Sequence, residues 1–177
     1  MKIKLATIII SFFLITNNVQ AQTPISNLSP AEYYDFWIGE WDLTWSKSDE
    51  SIGKGENSIF KILNNFVLKE NFNVTDDESM KGFTGKSWSV FNSNNGTWYQ
   101  TWVDNQGSYL DFIGEIDGEK RIFKRKVQKP DGSIIYQRMV FYDIQPDNFT
   151  WDWENSTDNG ETWNLLWRIN YKRKEVN

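Results

Sequence analysis

Trp163-Asn164-Leu165-Leu166-Trp167-Arg168-Ile169-Asn170-Tyr171-Lys172 is the stretch on which the fold is decided. Large apolar side chains stand at 163, 165, 167, 169 and 171. Polar ones stand at 164, 168, 170 and 172, with Leu166 the exception. A period of two sends successive side chains to opposite faces of a β-strand. The segment therefore reads as a strand with Trp163, Leu165, Trp167, Ile169 and Tyr171 turned inward. The same spacing recurs upstream, in Trp41 with Trp45, Trp98 with Trp102, and Trp151 with Trp153, among ten tryptophans in 177 residues. An indole carries a large apolar area and an N–H that needs a partner when buried. So many of them on inward faces predict a β-barrel with a bulky, partly polar interior able to hold a small molecule.

Outward from that stretch the chain is strand and turn. Asn94-Asn95-Gly96, Asp117-Gly118 and Lys129-Pro130-Asp131-Gly132 are strong turn signals, and Asn64-Asn65 is a weaker one. They divide the sequence into ten expected strands near 40–48, 54–64, 66–75, 83–92, 97–104, 108–116, 119–128, 134–143, 148–155 and 162–173. The expectation is an all-β, ten-stranded antiparallel barrel, because closure removes exposed edges. An open two-sheet sandwich is its rival. Ahead of the strands, Ser29-Pro30-Ala31-Glu32 is a capping box with proline in the first turn. It predicts a short helix to about Ile38, ended by Gly39. Tyr33, Tyr34, Phe36 and Trp37 on it form either a lid over one barrel end or an exposed patch serving a surface-interaction module; the lid is preferred.

Residues 1–21 read as a secretory signal. Lys2 and Lys4 precede an apolar run, Leu5 to Ile15, and Val19-Gln20-Ala21 is a cleavage pattern. The run is too short to span ~30 Å of hydrocarbon, and no cysteine follows it for lipid attachment. The expected product, residues 22–177, is one β-barrel domain, secreted or periplasmic, with no membrane span after cleavage. Without Lys2 and Lys4 the 19 basic residues fall to 17 against 24 acidic ones, a net charge of −7. An acidic chain lacking a basic block is a poor partner for nucleic acid or anionic membrane. The chain has no Cys and no His. Disulfides, thiolate nucleophiles, histidine acid–base chemistry and imidazole ligation of haem or zinc are therefore excluded. Neither a cofactor nor a metal is expected.

Several strings carry candidate chemistry. Trp98-x-Gln100-x-Trp102-x-Asp104 alternates aromatic, amide, aromatic and carboxylate on one face. It is either a half-exposed strand with two core tryptophans or a pocket wall in which Gln100 hydrogen-bonds between stacking surfaces. Leu68-x-Glu70-x-Phe72 and Tyr136-x-Arg138-x-Val140-x-Tyr142 each put a charge between apolar neighbours. Inside a core such charges need pairing, and Glu70 with Arg138 is the candidate pair. For 134–143 the opposite face, Ile135, Met139 and Phe141, competes for burial. Asp152 and Glu154 alternate with Trp151 and Trp153 and are expected in water. Ser156-Thr157-Asp158-Asn159-Gly160-Glu161-Thr162-Trp163 resembles the Asp-box of sialidase propellers. One copy in a chain this short reads as a hairpin brace, not a catalytic site.

Phe36-Trp37-Ile38-Gly39-Glu40-Trp41-Asp42, the Leu-x-Glu at 68–70, the Gln-x-Trp-Val-Asp at 100–104, Arg138, the Asp-box-like turn and Tyr171-x-Arg173 follow in an order that resembles an uncharacterised, lipocalin-like bacterial barrel family. The resemblance runs from about Phe36 to Arg173. It implies a calycin-type barrel, similar to nitrobindins and fatty-acid-binding proteins, which hold apolar ligands or haem. Nitrobindin-like proteins bind haem iron through histidine, which this chain lacks.

Two functions follow as expectations. The first is an extracytoplasmic barrel binding a small, largely apolar or aromatic molecule. Trp41, Trp98, Trp102, Trp151 and Trp167 would form its walls, with Glu70, Gln100, Tyr136 and Arg138 as polar contacts. The second is a cofactor-free isomerase, cyclase, lyase or hydrolase on the same barrel. In it Glu70 would be the general base, and Arg138 or Tyr136 would stabilise developing negative charge.

Overall fold

Turn residues and period-two alternation divide residues 23–175, those described in this computed structural model, into ten strands: β1 Gly39–Ser46, β2 Ile52–Ile62, β3 Val67–Asp76, β4 Thr84–Asn92, β5 Thr97–Asp104, β6 Tyr109–Asp117, β7 Lys120–Gln128, β8 Ile134–Tyr142, β9 Asn148–Ser156 and β10 Asn164–Arg173. Each pairs antiparallel with its sequence neighbour, and β1 pairs with β10, so the sheet closes into a barrel. The open sandwich does not occur. The expected signal, residues 1–21, lies outside the described residues. No helix among the described residues is long and apolar enough to cross a membrane.

The left-handed backbone that the tight turns require is supplied by Gly96 (φ 68°) and Gly118 (φ 58°), and between β2 and β3 by Asn64 and Asn65. The Asp-box-like segment braces the β9–β10 connection. The Asp158 carboxylate accepts from the Thr162 N–H (3.0 Å) and from the Ser156 hydroxyl (2.7 Å), and the Trp163 indole donates to the Gly160 carbonyl (3.1 Å). Those donors hold the Asp158 carboxyl well below the usual carboxylate range.

The N-terminal segment folds as two 3₁₀ turns, Pro30–Glu32 and Asp35–Trp37, where the sequence suggests one helix. Glu32 reaches back as a capping residue, accepting from the Ser29 N–H (2.9 Å) and hydroxyl (2.7 Å). The tighter winding turns Tyr34 and Trp37 into the barrel, where both are fully buried. Tyr34 stacks on Phe123 (4.3 Å between ring centroids) and donates to the Ile122 carbonyl (2.7 Å). Arg121 is also buried at this end, donating to the Tyr33 carbonyl and the Glu119 carbonyl. The segment closes the end of the barrel where β1 begins.

Two inward assignments are wrong by one register shift. β10 carries a bulge between Leu165 and Trp167. A bulge adds a residue and exchanges the faces on either side of it. Trp167, Ile169 and Tyr171 face inward, but Leu165 is 48% exposed and Trp163 lies on the outer wall. The unpaired Leu166 of the sequence pattern is the extra residue.

Candidate functional site

On the inner face of β5, Trp98, Gln100, Trp102 and Asp104 point into the barrel, as do Glu70 and Phe72 of β3 and Trp151 and Trp153 of β9. These side chains sit at different depths. At the closed end Trp41 donates its indole N–H to the Trp37 carbonyl (2.8 Å), and Trp98 donates to the Pro30 carbonyl (2.7 Å). Both are sealed into the core and satisfied there. At the other end the side chains leave a cavity of about 200 Å³.

The walls of that cavity are Trp102, Trp151, Trp153 and Trp167 with Phe72 and Phe112. The rings meet edge to face: Trp151 with Trp167 at 5.8 Å, Phe72 with Trp102 at 6.0 Å, and Phe112 with Trp153 at 6.0 Å. Edge-to-face contacts fix ring orientations and hold the space open. β4 admits the Trp102 ring because residue 85 is glycine. A Cβ there would lie 2.0 Å from Trp102 Cζ2. At the mouth the Trp102 indole donates to Asp104 (3.1 Å).

The floor is polar and centres on Glu70, only 6% exposed. Asn57 donates to its Oε1 (2.7 Å), and the Ser87 hydroxyl donates to its Oε2 (2.5 Å). Ser87 in turn accepts from the Gln100 amide (3.3 Å), which also donates to Ser89 (3.0 Å). The Asn57 amide reaches the Tyr171 hydroxyl as well (3.1 Å). The Trp37 indole N–H lines the floor without a partner of hydrogen-bonding geometry. Burial pushes the Glu70 carboxyl up to about 7, against the two hydrogen bonds, which favour its ionised form. Burial likewise pushes the Tyr171 phenol up.

Glu70 and Arg138 do not pair. β8 is set with Met139 and Phe141 inward, so Tyr136 and Arg138 lie on the outer wall. Arg138 donates to Glu154 (2.5 Å) and stacks on Trp163, its guanidinium carbon 3.9 Å from the ring centroid. The competing face of β8 won because its Met and Phe fill the interior with no charge to bury. Asp152, expected in water, is only 4% exposed. It takes a two-point contact from Arg168 (2.8 and 2.7 Å) and a bond from the Tyr142 hydroxyl (3.2 Å), all on the outer wall.

Of the residues singled out in the sequence, the structure brings Glu70, Trp102, Trp151 and Trp167 to one cavity. Gln100 is one hydrogen bond removed, through Ser87. Trp41 and Trp98 are deeper in the barrel, and Tyr136 and Arg138 are outside it. Sequence reasoning missed Asn57, Ser87, Phe112, Met139 and Trp153. Asn57 and Ser87 had a signal: each is a small polar residue on the inward parity of its strand, level with Glu70. Among the described residues no group of three or more potential ligands is placed to hold a metal ion.

No family model matches the chain, and no curated protein matches it in sequence. Among solved structures, a redesigned β-barrel is similar at 11% identity, with 84% of this chain and all of that one covered, at a TM-score of 0.42.

Proposed function

We propose that this protein is an extracytoplasmic, calycin-type barrel that binds one small, largely apolar or aromatic molecule in the cup at its open end. The observation that carries the reading is the unfilled space of about 200 Å³ walled by four tryptophans above a buried carboxyl. Well-packed interiors leave few voids, and a dry cavity of ~150 Å³ is enough to bind benzene. Drug-sized ligands need ~300 Å³ or more, so the guest is one ring or two fused rings. Export rests on the expected signal at residues 1–21, and an exported protein beginning at Gln22 would support it.

The enzyme reading needs charge stabilisers beside Glu70. Arg138 and Tyr136 are on the far side of the wall, which favours binding over turnover. Titration of the purified protein with single-ring aromatic compounds, followed by tryptophan emission and melting temperature, tests the proposal. A saturable emission change with a rise in melting temperature supports it. No response to any compound of this size overturns it.

A further inference from the structure

We infer that the guest is a small aromatic amine bound as its cation, its ammonium against Glu70 and its ring among the tryptophans. The inference rests on the cup being a binding site and names the class of molecule it takes. Three observations carry it.

The charged residues lining the cup are both acidic, Glu70 on the floor and Asp104 at the mouth; no Lys or Arg is among the lining residues. Arg125, its guanidinium carbon 5.7 Å from the Phe112 ring centroid, is not among the lining residues; it reaches toward Asp111 (3.8 Å), and its Nε is buried without a partner. An anionic guest finds no positive charge among the lining residues, whereas a cation meets the Glu70 carboxyl on the floor and electron-rich rings in the walls.

The floor is also arranged around an ionised carboxylate. With the Gln100 amide donating to Ser87, the Ser87 hydroxyl proton is free to point at Glu70, and the Asn57 amide donates to the other carboxylate oxygen. Both contacts supply hydrogen to Glu70, as a negative group requires. What the floor lacks is a positive charge. Asn57, Ile59, Ser87, Gln100, Trp37 and Tyr171 surround Glu70, and among them only the Tyr171 phenol titrates, remaining neutral in the physiological range.

Unpartnered acceptors outnumber unpartnered donors in this layer. Asn57 Oδ1 and Gln100 Oε1 are buried without a partner, against one donor, the Trp37 indole N–H. An ammonium brings three donors and no acceptor.

The test compares benzylamine, benzyl alcohol and benzoate, which share a ring and differ in charge, by tryptophan emission at pH 8 and pH 5. Benzylamine is expected to bind roughly tenfold or more tightly than benzyl alcohol at pH 8, as charged hydrogen bonds exceed neutral ones, and benzoate is expected not to bind. Between pH 8 and pH 5 the affinity for benzylamine should fall roughly tenfold per unit below the Glu70 pKa, because the amine stays protonated while its partner loses charge. The affinity for benzyl alcohol should not move. In Glu70→Gln the preference for amine over alcohol should vanish; the pH series on the unaltered protein gives the same answer should that variant fail to fold. An alcohol bound as tightly as the amine, or a preference that survives Glu70→Gln, overturns the inference and leaves the binding cup standing. Failure of all three compounds overturns both.

Discussion

Glu70→Gln is expected to change how stability depends on pH. In the folded barrel the carboxyl titrates near 7, against an ordinary value of 4.5. Between those two pH values the folded state holds a proton that the unfolded chain has released. The contribution of Glu70 to stability is therefore highest below pH 4.5, declines as pH rises through the window, and is level above 7. A displacement of this size corresponds to about 3 kcal/mol, at 1.36 kcal/mol per pH unit. Because Glu70 is nearly fully buried, solvent screening takes little from that figure. The glutamine has no such dependence. It meets two hydrogen donors, Asn57 and Ser87, with one oxygen, so it carries a pH-independent cost of about 1–3 kcal/mol. Urea unfolding of both proteins at pH 4.5, 6 and 8 gives the difference, in which all other carboxylates cancel. Glu70→Gln should gain about 3 kcal/mol on the parent between the first and last pH. A difference that stays flat would falsify the picture of an uncompensated carboxyl at the floor.

Three further substitutions separate the cup from the scaffold. Gly85→Ala puts a methyl group into the Trp102 ring; it should cost about 1–3 kcal/mol in urea unfolding and weaken guest binding, since Trp102 must move. Asp158→Ala removes the acceptor that holds the Thr162 amide and hydroxyl; hydrogen exchange at the Thr162 amide should accelerate while guest affinity is unchanged. Arg138→Ala breaks the outer-wall contacts with Glu154 and Trp163. It should cost about 1 kcal/mol and leave guest affinity unaltered, the opposite of what a residue lining the cup would do.

The barrel was legible because its signals are local. Alternation and turn residues placed all ten strands, and the Asn-Gly, Asp-Gly and Pro-Asp-Gly turns put most ends within a residue or two. The misreadings came where non-local pairing overrides parity. The bulge after Leu165 is invisible in an alternating pattern, because a single extra apolar residue reads as an exception. For β8 both faces were plausible, and the choice lay with Met139 and Phe141 packing against β9. The N-terminal segment was capped as expected, yet its winding was set by the need to sink Tyr34 and Trp37 into the barrel end. Depth was the hardest property to read. Trp41, Trp98 and Trp167 all face inward, but only the level along the barrel axis decides which of them borders the cup.

The most direct test of the occupied cup is a nitrogen–proton correlation spectrum of the ten indole N–H groups during a titration with benzylamine, each signal assigned by Trp→Phe substitution. The indoles of Trp102, Trp151, Trp153 and Trp167 should shift together along one saturation curve, while those of Trp41, Trp98 and Trp163 hold still. Shifts confined to Trp98 or Trp163, or no saturable shift in any indole with benzylamine, benzyl alcohol or benzoate, would contradict it.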